Sequence, residues 1–169
     1  RMLEISKLEE KNFIAINPIA YWETKLWNNQ KFAELADLIQ KQLGKKVVFT
    51  GSEKSLLDQI TSKMVSQGIN LGGQTSLPEL AEVYKKAQMV ITTDSGPMHL
   101  ACAVGTPVIA LFGPTDPART GPYGLGHTIV RSNLPCSPCF LKKCSTTKCM
   151  KGIAPEQMFL LVREKLIGS

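Results

Sequence analysis

Apolar residues in this chain fall into short unbroken runs, separated by longer stretches in which they recur every three or four positions. The runs Phe13-Ile14-Ala15-Ile16-Asn17, Val47-Val48-Phe49-Thr50, Ile69-Asn70-Leu71, Gln88 to Thr92 and Pro107 to Phe112 each predict a strand. Runs of this kind, apolar at consecutive positions, belong to strands covered on both faces. Between them, Phe32, Leu35, Ala36, Leu38, Ile39 and Leu43 lie at helical spacing with Gly44 just beyond, and Leu56, Leu57, Ile60 and Met64 repeat the pattern up to Gly68. Ser76-Leu77-Pro78-Glu79-Leu80 opens a further helix with serine as cap. Another is predicted from Pro97 to about Val104, and a last one from about Pro155 through Met158, Leu161 and Val162 to Leu166. Strand and helix alternate, which predicts an α/β fold: a Rossmann-like, doubly wound parallel sheet. Right-handed crossovers then bring the loops after Asn17, Thr50, Thr92 and Phe112 to one edge of that sheet.

One of those loops departs from plain turn chemistry. In Thr92-Thr93-Asp94-Ser95-Gly96-Pro97-Met98-His99, Ser95 suits an N-cap, Gly96 permits close backbone approach, and Pro97 fits the first helical turn, where its missing N–H costs nothing. The helix that follows would aim free N–H groups and its positive dipole end above the sheet edge, a natural seat for phosphate. Asp94 and His99 add polar groups that a simple turn does not need.

Composition sets the frame. The chain has 169 residues, 43% of them hydrophobic and 20% charged, with a formal net charge of +6; one ordinary globular domain is expected. The excess of basic residues suits nucleotides, phosphorylated acceptors or an anionic membrane surface. It is scattered, however, over Lys25, Lys45-Lys46, Lys85-Lys86, Lys142-Lys143, Lys148 and Lys151, without the arginine-rich stripe of a nucleic-acid binder, so nucleic acid is not an expected partner. No apolar run approaches the roughly 18 residues of a membrane span, and Arg1-Met2-Leu3-Glu4 lacks signal-peptide organisation. Residues 1–12, with Lys7-Leu8-Glu9-Glu10-Lys11 at their centre, read as a linker or the remnant of an upstream segment; residues 13–169 form the domain, including a cysteine-containing loop at 134–150 and the final helix. Neither a Gly-x-Gly-x-x-Gly after the first strand nor a Gly-Lys-Ser/Thr phosphate loop is present, which disfavours a dinucleotide dehydrogenase or a P-loop nucleotidase.

Of five cysteines, Cys102 falls in the helix after the polar loop, and Cys136, Cys139, Cys144 and Cys149 cluster within one loop. Four thiols so close in sequence are candidates for zinc or an iron–sulfur centre, although the intervals match no standard zinc finger. The alternative is a set of reduced, partly buried thiols. Glu53, just past the second strand, is a candidate acceptor for ribose hydroxyls or simply a helix-start residue. Thr115 and Asp116 lie on the loop after Phe112 and either line a sugar pocket or form a Pro-rich turn.

The run Thr93-Asp94-Ser95-Gly96-Pro97-Met98-His99-Leu100-Ala101, then Gly105-Thr106-Pro107-Val108, Leu111-Phe112-Gly113-Pro114-Thr115-Asp116-Pro117 and Gly121-Pro122-Tyr123-Gly124, closely resembles glycosyltransferase family 9, the ADP-heptose:lipopolysaccharide heptosyltransferases. Lys25-Leu26-Trp27 with Phe32-Ala33-Glu34-Leu35 resembles the first nucleotide-site loop and helix of that family, and the tail around Cys136-Ser137-Pro138-Cys139 is most similar to its heptosyltransferase II branch. The resemblance runs from about residue 13 to the end. It implies the C-terminal half of a GT-B enzyme, the half that holds the nucleotide-sugar; an N-terminal domain preceding Arg1 would supply the acceptor site and the catalytic carboxylate base, so this chain alone would not turn over. It further implies an ADP-heptose donor, a lipopolysaccharide inner-core acceptor, inverting transfer without a metal cofactor, and a cytoplasmic location, peripheral to the inner face of a Gram-negative inner membrane. The chain has no Asp-x-Asp motif. By the same resemblance the donor-binding residues are Lys25, Glu53, Thr75, Asp94, Ser95, Gly96, Pro97, Met98, His99, Thr115 and Asp116, with Lys25 and His99 stabilising the leaving group. Tyr21 and Trp22 stand where some heptosyltransferases carry small hydroxyl residues. Two other functions share these features: a GT-B sugar-nucleotide epimerase, and a non-catalytic nucleotide- or metal-binding module.

Overall fold

The computed structural model describes residues 8–168. Within them the strands are β1 (Phe13–Asn17), β2 (Lys46–Phe49), β3 (Ile69–Asn70), β4 (Met89–Thr93), β5 (Val108–Phe112) and β6 (Thr128–Arg131). The helices are α1 (Asn29–Leu43), α2 (Lys54–Thr61), α3 (Leu77–Lys86), α4 (Gly96–Ala103), α5 (Pro117–Thr120), α6 (Lys148–Lys151) and α7 (Pro155–Ile167), with a 3-10 turn at Glu23–Lys25. The strands pair in parallel in the order β3-β2-β1-β4-β5-β6. That order reverses direction between β1 and β4, the crevice where sheets of this kind bind ligands.

Why the runs become strands is visible in their alternation. Ile14 and Ile16 join a core with Phe32, Leu35, Ile39, Leu57 and Val162, whereas their neighbours Phe13 and Ala15 pack on the opposite face with Val83, Tyr84, Met98 and Ala101. Both faces of β1, β4 and β5 are therefore buried along their whole length. Each fully buried Ile, Leu or Phe contributes about 1.5–3 kcal/mol, and helices α1, α2 and α7 supply the cover on one side and α3 and α4 on the other.

The predicted boundaries of most of these elements match within a residue or two; the second helix, expected to run up to Gly68, instead ends at Thr61, where Lys63 N–H and Met64 N–H turn back to the Ile60 and Thr61 carbonyls. Gly44 ends α1 in the left-handed conformation at φ 63, where a side chain would be strained. Strand β6 and the short pieces at 23–25, α5 and α6 were not anticipated; β6 is a half-buried edge strand of four residues, too short and too weakly patterned to read from sequence. Residues 8–12, within the stretch expected to be a linker or the remnant of an upstream segment, pack against the domain. Leu8 is buried in the core, Lys11 N–H donates to the Lys86 carbonyl at 2.7 Å, and the Lys11 ammonium donates to the carbonyls of Lys85 and Ala87. Residues 1–7, the rest of that expected linker, lie outside the described residues. Among the described residues no helix is long and apolar enough to cross a membrane.

Candidate functional site

At the β1/β4 crevice the carboxyl edge opens into a pocket of about 370 Å³, lined by Asn17, Ile19, Ala20, Tyr21, Trp22, Lys25, Gly51, Ser52, Asp94, Ser95, Gly96 and Pro97. Its walls come from the loops after β1, β2 and β4. At Gly51 a Cβ would overlap the end of the Ile19 side chain, so the loops after β1 and β2 lie close together there. Gly96 is different. A Cβ at Gly96 would meet nothing within 4 Å, so protein packing does not demand the glycine, and the space it leaves belongs to the pocket.

Asp94 organises the floor. Only 5% exposed, its Oδ2 receives the Lys25 ammonium at 2.7 Å, the Thr115 hydroxyl at 2.6 Å and the Thr120 hydroxyl at 3.2 Å. These donors come from the 3-10 turn after β1, the loop after β5 and the end of α5, and the Asp94 N–H is itself tied to the Leu111 carbonyl of β5 at 3.2 Å. A carboxylate so placed is satisfied by protein groups; its effect on the pocket is to fix Lys25, whose side chain is 15% exposed. Lys25 also stands 4.5 Å from the centroid of the Trp22 ring, a favourable position for a cation.

Beneath the opposite wall runs a second polar chain. Asn17 Nδ2 donates to the Thr50 hydroxyl at 3.2 Å, Asn17 Oδ1 accepts from Ile19 N–H at 3.3 Å, and Thr50 shares a hydrogen bond with the Tyr84 hydroxyl at 3.0 Å. Burial pushes the Tyr84 phenol up to about 12. The first turn of α4 enters the pocket from above through Ser95, Gly96 and Pro97, so the positive end of the helix dipole and the Lys25 ammonium face the same space.

The sequence profile described as "Glycosyltransferase family 9 (heptosyltransferase)" matches residues 3–150. The chain belongs to glycosyltransferase family 9. A curated relative, "Lipooligosaccharide heptosyltransferase 2" of Campylobacter jejuni, is 31% identical over 167 residues, covering 94% of this chain and 52% of the relative. Among solved structures, the glycosyl transferase family 9 protein from Veillonella parvula superposes with a TM-score of 0.82 at 27% identity, over 94% of this chain and 47% of that one. ADP-heptose lps heptosyltransferase II of E. coli gives 0.80 at 24% identity, over 98% and 50%, a likeness of fold. The chain thus spans about half the length of the relatives it matches.

The residues that the family resemblance nominated do not all reach the pocket. Lys25, Asp94, Ser95, Gly96 and Pro97 line it, and Thr115 supports it through Asp94. Ser95 occupies the N-cap position of α4, but its side chain does not cap; the hydroxyl turns back to the Thr93 carbonyl at 3.3 Å and to Thr92 Oγ1 at 3.3 Å. Met98 is fully buried in the core against Ala101 and Val90, and its N–H is taken by the Ser95 carbonyl. His99 is exposed and stands apart from the pocket-lining set. Glu53 is exposed at the N-cap of α2, where it makes no side-chain cap bond, while its neighbour Ser52 lines the pocket. Thr75 lies outside the lining as well. Asp116 accepts from Ala118 N–H at 3.0 Å and caps α5, the turn role. Thr120, Asn17, Thr50 and Tyr84 were missed by sequence reasoning, since each is a single polar residue whose partner lies in a distant segment.

The thiols present a different arrangement. Cys136, Cys139, Cys144 and Cys149 line one cavity of about 50 Å³ together with Thr24, Pro114 and Ser137. Burial raises the Cys149 thiol, with Cys139 and Cys136 adding to the shift; the Thr146 hydroxyl and neighbouring backbone groups lower that of Cys144. Thiolates would suit zinc or an iron–sulfur centre. Yet among the described residues no three His, Cys, Asp or Glu side chains are grouped so as to hold a metal ion, and the thiols as arranged do not fit one. The loop instead clamps the site from outside. Cys139 and Phe140 N–H both donate to the Pro114 carbonyl, at 3.0 and 2.8 Å, Ser137 Oγ donates to the Gly113 carbonyl at 2.6 Å, and Thr24 Oγ1 donates to the Leu141 carbonyl at 2.7 Å.

Proposed function

We propose that this chain is the donor-binding half of an inverting, metal-independent heptosyltransferase that moves heptose from ADP-heptose to the lipopolysaccharide inner core. The observation that carries this reading is the Lys25 ammonium, held by Asp94 on the floor of the β1/β4 pocket beside the N-terminus of α4. In transfer, the bond between the sugar's anomeric carbon and the β-phosphate oxygen breaks, and its electron pair leaves with the diphosphate. Negative charge therefore grows on a phosphate oxygen, and donors fixed in advance stabilise it more in the transition state than in the ground state. Lys25 and the first turn of α4 supply that positive field; Asp94, with Thr115 and Thr120, holds Lys25 in place and is a positioning residue.

In this reading the acceptor hydroxyl attacks the opposite face of the anomeric carbon and gives its proton to a carboxylate on an N-terminal domain outside this chain. The net charge of +6 suits a cytoplasmic protein resting on an anionic inner-membrane surface. Isothermal titration of the chain with ADP, UDP and GDP tests the donor site: saturable binding of ADP in preference to the other two is expected, and no binding of any of them would remove the proposal. Transfer of heptose to an acceptor by the full-length protein, rather than release of free nucleotide, separates it from an epimerase.

A further inference from the structure

The charge balance of the pocket points to a residue that the motif does not contain. Lys25 is paired with Asp94 at 2.7 Å, so the two together bring no net charge, whereas a nucleoside diphosphate brings several negative ones. Lys54, on α2, is paired with Asp58 at 3.0 Å, and Arg119 stacks 5.2 Å from the Phe140 ring. A further ammonium meets the pocket wall from the cysteine loop: Lys142 Nζ stands 5.3 Å from the centroid of Trp22, the same pocket-lining ring that Lys25 approaches at 4.5 Å.

We propose that Lys142 is the second phosphoryl-binding cation of the donor pocket, delivered there by the cysteine loop. This rests on reading the pocket as a nucleoside-diphosphate site. The backbone around Lys142 is pinned on both sides of that site. The preceding residue's carbonyl takes the Thr24 hydroxyl at 2.7 Å, directly beside Lys25, and Phe140 N–H reaches the Pro114 carbonyl at 2.8 Å, directly beside Thr115. The position from which the lysine reaches out is thus set by the two segments that build the Asp94 floor, and only its flexible four-carbon stem remains to swing toward a phosphate. Trp22 gives the ammonium an aromatic face to rest on before ligand arrives. Lys143, next in the chain and exposed like Lys142, has no such ring contact.

The test is calorimetric titration of ADP and AMP into the wild-type chain, Lys142→Ala, Lys142→Arg and Lys143→Ala at one fixed salt concentration. Lys142→Ala should weaken ADP binding about three- to tenfold and AMP binding less, Lys142→Arg should restore most of the affinity, and Lys143→Ala should bind as the wild type does. Unchanged ADP binding by Lys142→Ala would overturn the proposal. So would an equal loss in Lys143→Ala, which would mean a general effect of net charge. Urea melts of the variants check that folding is intact. A wild-type chain that binds no nucleoside diphosphate would instead remove the donor-site reading itself, a result distinct from a failure at Lys142 alone.

Discussion

Around Asp94, three donors from three separate segments reach one carboxylate oxygen; beside Pro114, four thiols from the loop before α6 and from α6 itself share a cavity without being grouped to hold a metal ion. In sequence the thiols lie closer together, since Cys136 to Cys149 are near neighbours, whereas Lys25, Asp94, Thr115 and Thr120 are spread from residue 25 to residue 120. In space the order is reversed. Proximity along the chain does not aim side chains at one point, but a parallel sheet does, since it fixes the directions in which its carboxyl-edge loops emerge.

The contrast can be broken most forcefully at Lys25. Lys25→Ala should destabilise the chain by about 2–4 kcal/mol in urea denaturation, because it leaves a buried carboxylate without its cation, and should abolish ADP binding. A loss under about 0.5 kcal/mol, within the range of ordinary surface substitutions, would show that the Asp94 floor is not the rigid element described here. The two threonines come next. Thr115→Val should cost about 1–2 kcal/mol and Thr120→Val less, in keeping with their distances of 2.6 and 3.2 Å and the usual worth of a hydrogen bond to a charged group; the reverse ranking would mean that Thr120 carries the restraint. The smallest effect is expected at the thiols. Cys136→Ser combined with Cys139→Ser should change stability by less than about 0.5 kcal/mol, and elemental analysis of protein purified without chelator should find zinc and iron well below one equivalent. One equivalent of either metal, with a loss of several kcal/mol in the double variant, would place both regions in the same class.

What the sequence made legible follows the same line. The five central runs and the helices between them are governed by local periodicity, and their boundaries were accessible from it. So was the helix start after Ser95, with Pro97 in the first turn, because that too is set locally. Adjacent motif positions also diverge: helical geometry turns Met98 into the core, and His99 one position on faces solvent. The part of the site that could not be read is the part made of long-range single contacts. Nothing about Thr120 in sequence marks it as a partner of Asp94, and nothing about Asn17 marks it as the first member of a chain reaching Tyr84. Such residues become visible only when strand order is known.

The position of the pocket has a consequence for how the domain is made. Its walls meet where β1 pairs with β4, Ile14 opposite Met89 and Asn17 opposite Thr92, although β2, β3 and the first three helices intervene in the chain. No fragment ending before β4 possesses the site, and no local hairpin can pre-form it. On the donor-site proposal, affinity is therefore gained only when the longest loop closure in the central sheet has been completed, and a bound nucleotide would favour the finished fold over every partly paired one by mass action.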